Sequence, residues 1–325
     1  MYKKLLFLII FSAFISFILI GCSKGSISKQ ATNLPANITQ KKNIILIMKT
    51  LTNPFFMEME KGARQAESEL GIKLTVKTGA KETSIEQQIA LVEEAIASKV
   101  DAIVISPGSS IELIPILKKA QDAKIPIVNI DNRLDPDLSK NKGLVDVPFI
   151  SVDNKNGGYL SAKYICDKIT IPTKAVIIEG IRGAYNGDQR KEGAIKAFSE
   201  NKNITLVAQE TANWNIDEGY AVAKKLFATT PDIGAVFCAN DMMALGVIQY
   251  LEETKRKDIL IASFDALSEA KTAIAHGKMS NTIDQQALLQ GYTGVKMALD
   301  LINGKKPANL INLVEVKVVS ENNVK

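Results

Sequence analysis

Two adjacent aromatic residues and two polar residues follow the first strand that the sequence predicts. An apolar hexapeptide leads into Lys-Thr-Leu-Thr-Asn-Pro-Phe-Phe, which begins at Lys49 and places Phe55 and Phe56 side by side. Asn53 can cap a helix and Pro54 fits a helix's first turn, so the segment predicts a buried strand, a turn and a helix. Ligands bind at the carboxyl ends of strands in open α/β sheets. Aromatic rings beside an amine and an amide suit a ligand with an apolar face and many hydroxyl groups, such as a sugar.

Carboxylates follow two further predicted strands. Asp131 comes directly after strand Ile127–Ile130, and Asp265 follows strand Leu260–Ser263. An ionised carboxylate can accept hydrogen bonds from two neighbouring hydroxyl groups, which makes it a strong and directional sugar contact. Standing alone, Asp131 would more often be a turn residue or a helix cap. The repetition at a second strand end favours a ligand contact.

Side-chain amides stand at two other strand ends. Strand Ala235–Cys238 runs into Ala-Asn-Asp before a helix, and we expect Asp241 to cap that helix while Asn240 faces the ligand. Gln285 follows the tenth predicted strand, where a side-chain amide can reach a ligand between two domains. The glutamine after it competes for this role, since adjacent strand residues face opposite ways.

An arginine and the single tryptophan complete the candidate site. Arg190 follows the loop Tyr185–Gln189, and its planar fork can bind a ring oxygen and a neighbouring hydroxyl. Standing alone, an arginine on a helix is more often a solvated surface charge. Trp214 lies in Ala-Asn-Trp-Asn after strand Thr205–Ala208, and this polar setting favours stacking against a ligand over a place in the core.

Short apolar runs alternate with helix-length periodic stretches almost to the end of the chain. Repeated βα units predict parallel sheets with helices on both faces. Two sets of this size predict an α/β protein with two doubly wound domains rather than one large sheet. A final strand is predicted at Leu313–Val319. The other predicted strands are Ile44–Met48, Leu74–Thr78, Ala102–Ser106, Ile127–Ile130, Ile150–Val152, Ala175–Glu179, Thr205–Ala208, Ala235–Cys238, Leu260–Ser263 and Asn281–Ile283.

The amino terminus predicts export. Residues 1–21 combine a positive start, a short apolar core and small residues at the exit, as a signal peptide does. The tetrapeptide that ends in Cys22 resembles the lipobox of bacterial lipoproteins, which implies cleavage before Cys22 and acylation of its thiol. An uncleaved membrane anchor is the alternative. Residues 22–42 are polar without apolar period, so they predict the lipidated cysteine and a flexible tether.

Composition and missing motifs weigh against several other functions. Net charge is +5 over 325 residues without a basic stripe, so no nucleic acid is expected as a partner. The segment after the first strand lacks the Gly-x-Gly-x-x-Gly of dinucleotide enzymes, and His276 is the only histidine. We therefore expect no enzyme activity, no cofactor and no metal. Cys166 and Cys238 sit in apolar patterns, which favours buried thiols over a disulfide.

The order of these features resembles the ribose- and allose-binding proteins of bacterial sugar-transport systems, which are type I periplasmic binding proteins. The shared motifs include Asn-Pro-Phe-Phe, Ile-Asp-Asn, Ala-Asn-Trp, Cys-Ala-Asn-Asp-Met-Met-Ala-Leu-Gly, Ser-Phe-Asp and Thr-Ile-Asp-Gln, and the resemblance covers the chain after the tether. It implies two lobes joined by a three-stranded hinge. The amino-terminal lobe would comprise residues 43–152 plus 285–311, and the carboxyl-terminal lobe residues 153–284 plus 312–325.

The same resemblance implies crossings between the lobes near Val152–Asp153, Asp284–Gln285 and Ile311–Asn312. It also implies a monomer at the outer face of the cell membrane or in the periplasm, which delivers a neutral monosaccharide to the permease of an ABC transporter. Presentation to a chemotaxis or sensor receptor is the alternative output, and a repressor-type regulatory core is a further one that the export signal opposes. Carried over by position, the ligand contacts are Lys49, Asn53, Phe55, Phe56, Asp131, Asn132, Arg190, Trp214, Asn240, Asp265 and Gln285.

Differences within the family bear on the choice of sugar. Lys49 and Trp214 look like the allose-binding members, whereas the ribose-binding members have serine and phenylalanine at these places. Phe56 and the pair Asn132-Arg133 depart from the allose-binding members, which have tryptophan and Glu-Lys. The expected ligand is therefore a neutral pentose or hexose of the ribose and allose type.

Overall fold

Alternating strands and helices fill residues 41–324, the part of the chain that this computed structural model describes. The predicted signal peptide (residues 1–21), Cys22 and most of the predicted tether lie outside that part. None of the helices within the described residues is long and apolar enough to cross a lipid bilayer. Along the chain the elements are β1 (Asn43–Met48), α1 (Pro54–Leu70), β2 (Lys73–Thr78), α2 (Ile85–Ala97), β3 (Ala102–Ile105), α3 (Ile114–Asp122), β4 (Ile127–Ile130), α4 (Pro136–Asn141), β5 (Phe149–Val152), α5 (Asn154–Cys166), β6 (Thr173–Glu179), α6 (Tyr185–Ser199), β7 (Ile204–Thr211), α7 (Ile216–Thr229), β8 (Ile233–Cys238), α8 (Asp241–Glu253), β9 (Leu260–Ala262), α9 (Ser268–Ala275), β10 (Asn281–Asp284), α10 (Ala287–Ile302), β11 (Ile311–Val314) and β12 (Lys317–Ser320).

The strands form two six-stranded sheets with matching order. The first sheet runs β11-β5-β4-β3-β1-β2, and the second runs β12-β10-β9-β8-β6-β7. All pairs are parallel except β10 with β12, which is antiparallel. In both sheets the second strand lies outside the first and the later strands on its other side, which is a doubly wound order with a crevice at the reversal point. The prediction of two doubly wound α/β domains is confirmed.

Burial of the central strands explains why short apolar runs predicted them. Strands β3, β4 and β5 are buried at every position, and β1 is buried at every position but its first. A parallel strand covered by helices on both faces needs apolar side chains on both sides, so its sequence is continuously apolar rather than alternating. Cys166 and Cys238 are both buried free thiols, as expected.

The chain passes between the two sheets three times. It leaves the first sheet after Val152 at the end of β5 and returns after Asp284 at the end of β10. The third passage differs from the sequence expectation. The predicted single strand Leu313–Val319 is two strands, because β11 pairs with β5 in the first sheet and β12 pairs with β10 in the second. The passage therefore follows Val314 rather than lying near Ile311–Asn312, and the assignment of residues 312–314 to the second lobe was wrong.

A small apolar cluster lies where the three passages meet. Val152, Phe264 and Ile283 are buried together, with Val314 and Val316 packed against them. Apolar contacts carry no directional bonds, so they can slide while the polar contacts of the cavity reorganise. The cluster thus joins the two domains through apolar packing alone.

Glycines allow α5 and α6 to pack backbone to backbone. A Cβ atom on Gly158 would collide with the backbone of Arg190, and one on Gly193 would collide with the carbonyl oxygen of Lys155. The pairs α1 with α10 and α7 with α8 have the same reciprocal glycines. Because α6 carries Arg190, the close approach of α5 and α6 sets how far that side chain reaches.

Replacing Gly193 with alanine should destabilise the protein by about 1–3 kcal/mol, since the added methyl overpacks a closed helix pair. Alanine otherwise favours a helix over glycine by about 0.5–1 kcal/mol, so any loss must come from the collision. Urea unfolding followed by circular dichroism measures the change. Ser199→Ala in the exposed last turn of α6 is the control and should stay within about 0.5 kcal/mol of the wild type. A Gly193→Ala variant as stable as that control would contradict the packing argument.

Candidate functional site

A small cavity lies at the carboxyl ends of strands from both sheets. Its walls are polar and aromatic, and they come from both domains. The set includes every ligand contact expected from the sequence except Asn132. The lining side chains belong to Lys49, Asn53, Phe55, Phe56, Glu82, Asp131, Asn186, Arg190, Trp214, Asn240, Asp265 and Gln285.

Asn53 joins the start of α1 to the cavity. Its Oδ1 accepts a hydrogen bond from the backbone N–H of Phe55 at 3.0 Å, and its Nδ2 donates to Oε1 of Glu82 at 2.9 Å. Pro54 occupies the first turn, where a missing N–H leaves no bond unmade. This cap fixes the two phenylalanines at the cavity wall. The rings of Phe55 and Phe56 meet edge to face, with centroids 5.0 Å apart.

Lys49 is a buried cation between two carboxylates. Its Nζ lies 2.9 Å from Oδ2 of Asp131 and 3.8 Å from Oε2 of Glu82. The same Asp131 oxygen accepts a hydrogen bond from Oγ of Ser106 at 2.7 Å. Side-chain exposure is only 3% for Lys49 and 2% for Asp131, so salt screens their attraction weakly. Removing either partner would leave an uncompensated buried charge.

Arg190 reaches the cavity from α6 and binds three parts of the chain. Its Nε donates to Oδ1 of Asn154 at 2.8 Å, its Nη1 to the carbonyl oxygen of Ala239 at 3.0 Å, and its Nη2 to Oε1 of Gln285 at 3.2 Å. Gln285 in turn donates from Nε2 to Oδ1 of Asp265 at 2.6 Å. Nη1 of Arg190 lies 3.6 Å from the same oxygen. The planar fork is thus held by polar groups on both sides.

Trp214 is buried against the cavity in a space that two glycines leave open. A Cβ atom on Gly180 would collide with the six-membered ring of the indole, and one on Gly187 would lie 2.9 Å from its Cζ2. Among the residues that the structure describes, none accepts a hydrogen bond from Nε1, although this atom is buried. A buried indole N–H usually finds a partner. The indole thus lines the cavity beside the other candidate residues while its body belongs to the buried core, and its Nε1–H is an unused donor.

The expectation that Asp241 caps α8 was wrong, whereas Asn240 does line the cavity. Asn240 caps α8, since its backbone is extended and its Oδ1 accepts from the N–H of Met243 at 3.0 Å, while its side chain also lines the cavity. Asp241 lies behind the cavity wall. It accepts from the N–H of Leu267 at 2.8 Å and from Oγ1 of Thr282 at 2.7 Å. Only the three-dimensional neighbours distinguish the two roles.

Asn132, which the sequence suggested as a ligand contact, does not line the cavity. The residue is fully buried, its Nδ2 donates to the carbonyl oxygen of Pro107 at 3.1 Å, and its Oδ1 accepts from the N–H of Asn186 at 3.2 Å. Sequence reasoning missed Glu82 and Asn186, which line the cavity. Glu82 lies in the loop after β2, so its place near the carboxyl end of a strand is the sequence signal for it.

Three of the residues that line the cavity have a strained backbone. Asp131, Trp214 and Asp265 have φ values of 63°, 66° and 119°, in the region that residues with side chains rarely adopt. Such conformations cost about 1–3 kcal/mol each and persist where surrounding contacts fix them, commonly at ligand sites. The hydrogen bonds of the two carboxylates supply that fixation here.

Burial shifts the protonation of several groups at the cavity. Loss of hydration raises the pKa of the Glu82 carboxyl, against the opposing effect of Lys49. Loss of hydration also raises the pKa of Asp265 well above its ordinary value, and it raises the pKa of Asp241 to about 7. The pKa of Arg190 is lowered by its burial, against the effect of Asp265. Each shift has the same cause, which is that the dry interior disfavours a charged group.

This arrangement suits the binding of a polar, uncharged ligand. The cations Lys49 and Arg190 already have carboxylate partners within the protein, so neither offers a free charge to an ion. Across residues 41–324 no group of three or more His, Cys, Asp and Glu side chains is placed to hold a metal ion. What remains are hydrogen-bonding groups in several directions and aromatic ring faces.

The chain belongs to the periplasmic binding protein family, because the model of this family's domain matches residues 44–306. Its two sheets and their order are those of the type I fold of that family.

Among individual proteins, the chain is 36% identical to the D-ribose/D-allose-binding protein of Pseudomonas aeruginosa over 275 residues. This match covers 84% of this chain and 86% of that protein. It is 32% identical to the D-allose-binding periplasmic protein of Escherichia coli, over 84% of this chain and 89% of that one. A solved structure of a periplasmic solute-binding protein of an ABC transporter from Actinobacillus succinogenes, with bound D-allose, superposes with a TM-score of 0.83 at 38% identity. The superposition covers 87% of this chain and 99% of the other.

Neutralising the buried Asp241 should make stability depend less on pH. Because the pKa of Asp241 is raised to about 7, the folded state keeps a proton between about pH 4 and pH 7 that the unfolded state has released. The stability that the buried carboxyl contributes is therefore lost as pH rises through about 7. Asp241→Asn keeps an acceptor for Leu267 and a partner for Thr282. The free energy of unfolding should therefore fall less steeply between pH 5 and pH 7, by at most about 1.4 kcal/mol per pH unit.

The matched control is Asp232→Asn, an exposed aspartate beside Lys174 whose pKa is lowered by a hydrogen bond from that lysine. It titrates below this pH window, so its slope should equal that of the wild type. Denaturant titrations at several pH values give the slopes. Identical slopes for Asp241→Asn and the wild type would contradict the protonation that burial implies.

Proposed function

We propose that this chain is an extracytoplasmic solute-binding protein that captures a neutral monosaccharide, a pentose or hexose of the ribose and allose type. The cavity between the two domains would hold the sugar, and the sugar would pass unchanged to the permease of an ABC transporter. The observation that carries the proposal is a single cavity that combines paired buried charges with aromatic walls from both domains.

Neutrality of the ligand follows from the pairing of charges. Lys49 with Asp131 and Arg190 with Asp265 satisfy one another at 2.9 Å and 3.6 Å, so an ionic ligand would have to displace a buried partner. Hydroxyl groups can instead join these hydrogen-bond networks as both donors and acceptors. The unused Nε1 of Trp214 supports a ligand with acceptor oxygens.

The relatives support the class of ligand. Two similar proteins are named for the binding of D-allose, one of them also for D-ribose, and a structural neighbour holds D-allose. Lys49 and Trp214 favour the allose-like side of this group, whereas Phe56 departs from it. The proposal therefore stays with the chemical class rather than with one sugar.

Closure of a hinge would be the mechanism of capture. Lining residues such as Asp131 in the first domain and Arg190 in the second can touch one ligand only when the domains are together, so binding shifts an open–closed equilibrium. Periplasmic binding proteins are a standard example of such hinge closure. The closed surface is then what the permease recognises.

Anchoring by lipid would keep the protein at the membrane that holds the permease. The apolar start and the lipobox-like Leu-Ile-Gly-Cys support a mature chain that begins at lipid-modified Cys22. The polar residues before Lys42 would give the folded part the reach to diffuse around its anchor.

Removal of one buried carboxylate should nearly abolish sugar binding. Asp131→Ala or Asp265→Ala strands the polar groups that each carboxylate serves, so the binding free energy should weaken by about 2–5 kcal/mol. Isothermal calorimetry with D-allose and D-ribose measures this loss. Asp137→Ala, an exposed aspartate of α4, is the matched control and should bind as the wild type does. Wild-type affinity in both site variants would refute the site, and a wild type that binds neither sugar would refute the ligand class.

Substitution of Cys22 tests the anchor. Cys22→Ser lacks the thiol that a lipid would modify, so the protein should appear in the soluble extract or remain unprocessed. Fractionation of cells followed by mass spectrometry of the amino-terminal peptide distinguishes these outcomes. An unmodified Cys22 in membrane-extracted wild-type protein would exclude the lipid anchor.

A further inference from the structure

The residue that precedes helix α6 has no side chain that can cap it. Its N-cap position is Ala184, whose backbone is extended (φ −78°, ψ 120°) as a capping residue requires, but whose methyl side chain accepts no hydrogen bond. The first N–H groups of any helix have no partner within the helix itself. Serine, threonine, asparagine or aspartate normally accepts from one of them.

The opposite domain supplies the missing acceptors. Oγ of Ser110, in the segment after β3, accepts from the N–H of Tyr185 at 3.0 Å. Oδ1 of Asn132, after β4, accepts from the N–H of Asn186 at 3.2 Å. The side chain of Asn186 returns a third contact, since its Nδ2 donates to Oδ1 of Asp131 at 3.2 Å. Three hydrogen bonds thus connect the start of α6 to the first domain.

The residues that make these contacts are buried. Ser110 is 5% exposed, Asn132 is fully buried and Asn186 is 2% exposed. Ser110 Oγ and Asn132 Oδ1 lie 3.4 Å apart, so the two acceptors form one continuous surface. A buried N–H without a partner costs about 1–3 kcal/mol, so these acceptors favour closure of the two domains over α6.

The capped helix is also the one that carries part of the cavity. Asn186 lies in its first turn and Arg190 one turn later, and both line the cavity. A shift of the start of α6 would move both side chains relative to Lys49 and Asp131 on the other domain. The cap therefore sets the geometry of the second-domain wall.

We propose that Ser110 and Asn132 are positioning residues that cap α6 across the cleft, and that this interdomain cap raises the affinity for every ligand by the same factor. The inference deepens the proposed function, because it rests on closure around a ligand. It also gives Asn132 a role in place of the direct ligand contact that the sequence suggested.

The effect on affinity follows from linked equilibria. In an open arrangement water would satisfy the N–H groups of α6 and the two acceptors, so the cap contributes only when the domains close. The apparent dissociation constant is the intrinsic one divided by the closed fraction. A helix cap contributes about 0.5–2 kcal/mol, which corresponds to roughly 2- to 30-fold in that fraction. Ser110 and Asn132 do not line the cavity, so selectivity between sugars should be unaffected.

Alanine variants test the cap. Ser110→Ala and Asn132→Ala should each weaken binding of D-allose and of D-ribose by a similar factor, about 3- to 10-fold. Dissociation should become faster while association stays unchanged, because the cap forms after the ligand has entered. The control is Ser109→Ala, in the same loop. Its Oγ accepts from the N–H groups of Ile111 and Glu112 within its own domain, so its binding should change less than twofold.

A gain of a cap provides the converse test. Ala184→Ser gives α6 an acceptor of its own in both arrangements, so closure would gain less from Ser110 and Asn132. Ligand affinity should fall a few-fold, and the loss caused by Asn132→Ala should be smaller in the Ala184→Ser background than in the wild type. Additive losses would contradict the proposal.

Small-angle scattering without sugar separates the cap from the proposed ligand class. The Ser110→Ala variant should be more expanded than Ser109→Ala when no sugar is present, whichever ligand the protein binds. If the wild type binds neither sugar, the ligand class fails but this comparison still tests the cap. The proposal is overturned if the two serine variants scatter alike, or if Ser110→Ala loses affinity for one sugar only. If Asn132→Ala does not fold, the comparison of Ser110→Ala with Ser109→Ala still provides both the sugar-binding measurement and the scattering measurement.

Discussion

A guanidinium group cannot be buried unless its N–H groups are bound, and the burial of Arg190 organises the centre of this molecule. Its three nitrogens donate to Asn154 just after the first passage between the domains, to Gln285 at the second passage, and to the carbonyl oxygen of Ala239 after β8. Phe264, which belongs to the apolar cluster where the three passages meet, lies under the guanidinium, with its ring centroid 3.8 Å from Cζ of Arg190. The arginine thus ties the second-domain wall to the hinge, and any change in domain arrangement alters its surroundings.

The position of Arg190 depends in turn on how closely helices approach each other. Glycines on α5 and α6 remove the side chains that would keep these helices apart, so α6 lies lower on the sheet than a larger residue would allow. Its start is then close enough to the first domain for Ser110 and Asn132 to accept its N–H groups. The glycines between α5 and α6 and the cap at the start of α6 therefore both depend on the same position of α6.

Electrostatics and burial act together at the cavity. Two cations and three carboxylates share a small volume, and the charges are tolerable only because Lys49 with Asp131 and Arg190 with Asp265 lie within a few ångströms. Burial nevertheless raises the pKa of the Glu82 and Asp265 carboxyls, against the opposing effects of Lys49 and Arg190. A site whose charges are already paired favours hydroxyl groups over ions. The aromatic rings of Phe55 and Trp214 supply the faces that the carbon skeleton of a sugar would cover.

The sequence by itself determined the fold class and the neighbourhood of the cavity, because both depend on local patterns. Continuous apolar runs define buried parallel strands, and the carboxyl ends of parallel strands necessarily meet at one edge, so polar residues such as Lys49 and Asp131 could be expected together. Only the tertiary structure decided which polar group serves which partner. Asn240 rather than Asp241 caps α8, Asn132 binds α6 instead of lining the cavity, and the last predicted strand divides between two sheets. A hydrogen-bond partner is chosen by distance and direction in space, and residues 54 positions apart, as Asn132 and Asn186 are, carry no mark of that proximity in the chain.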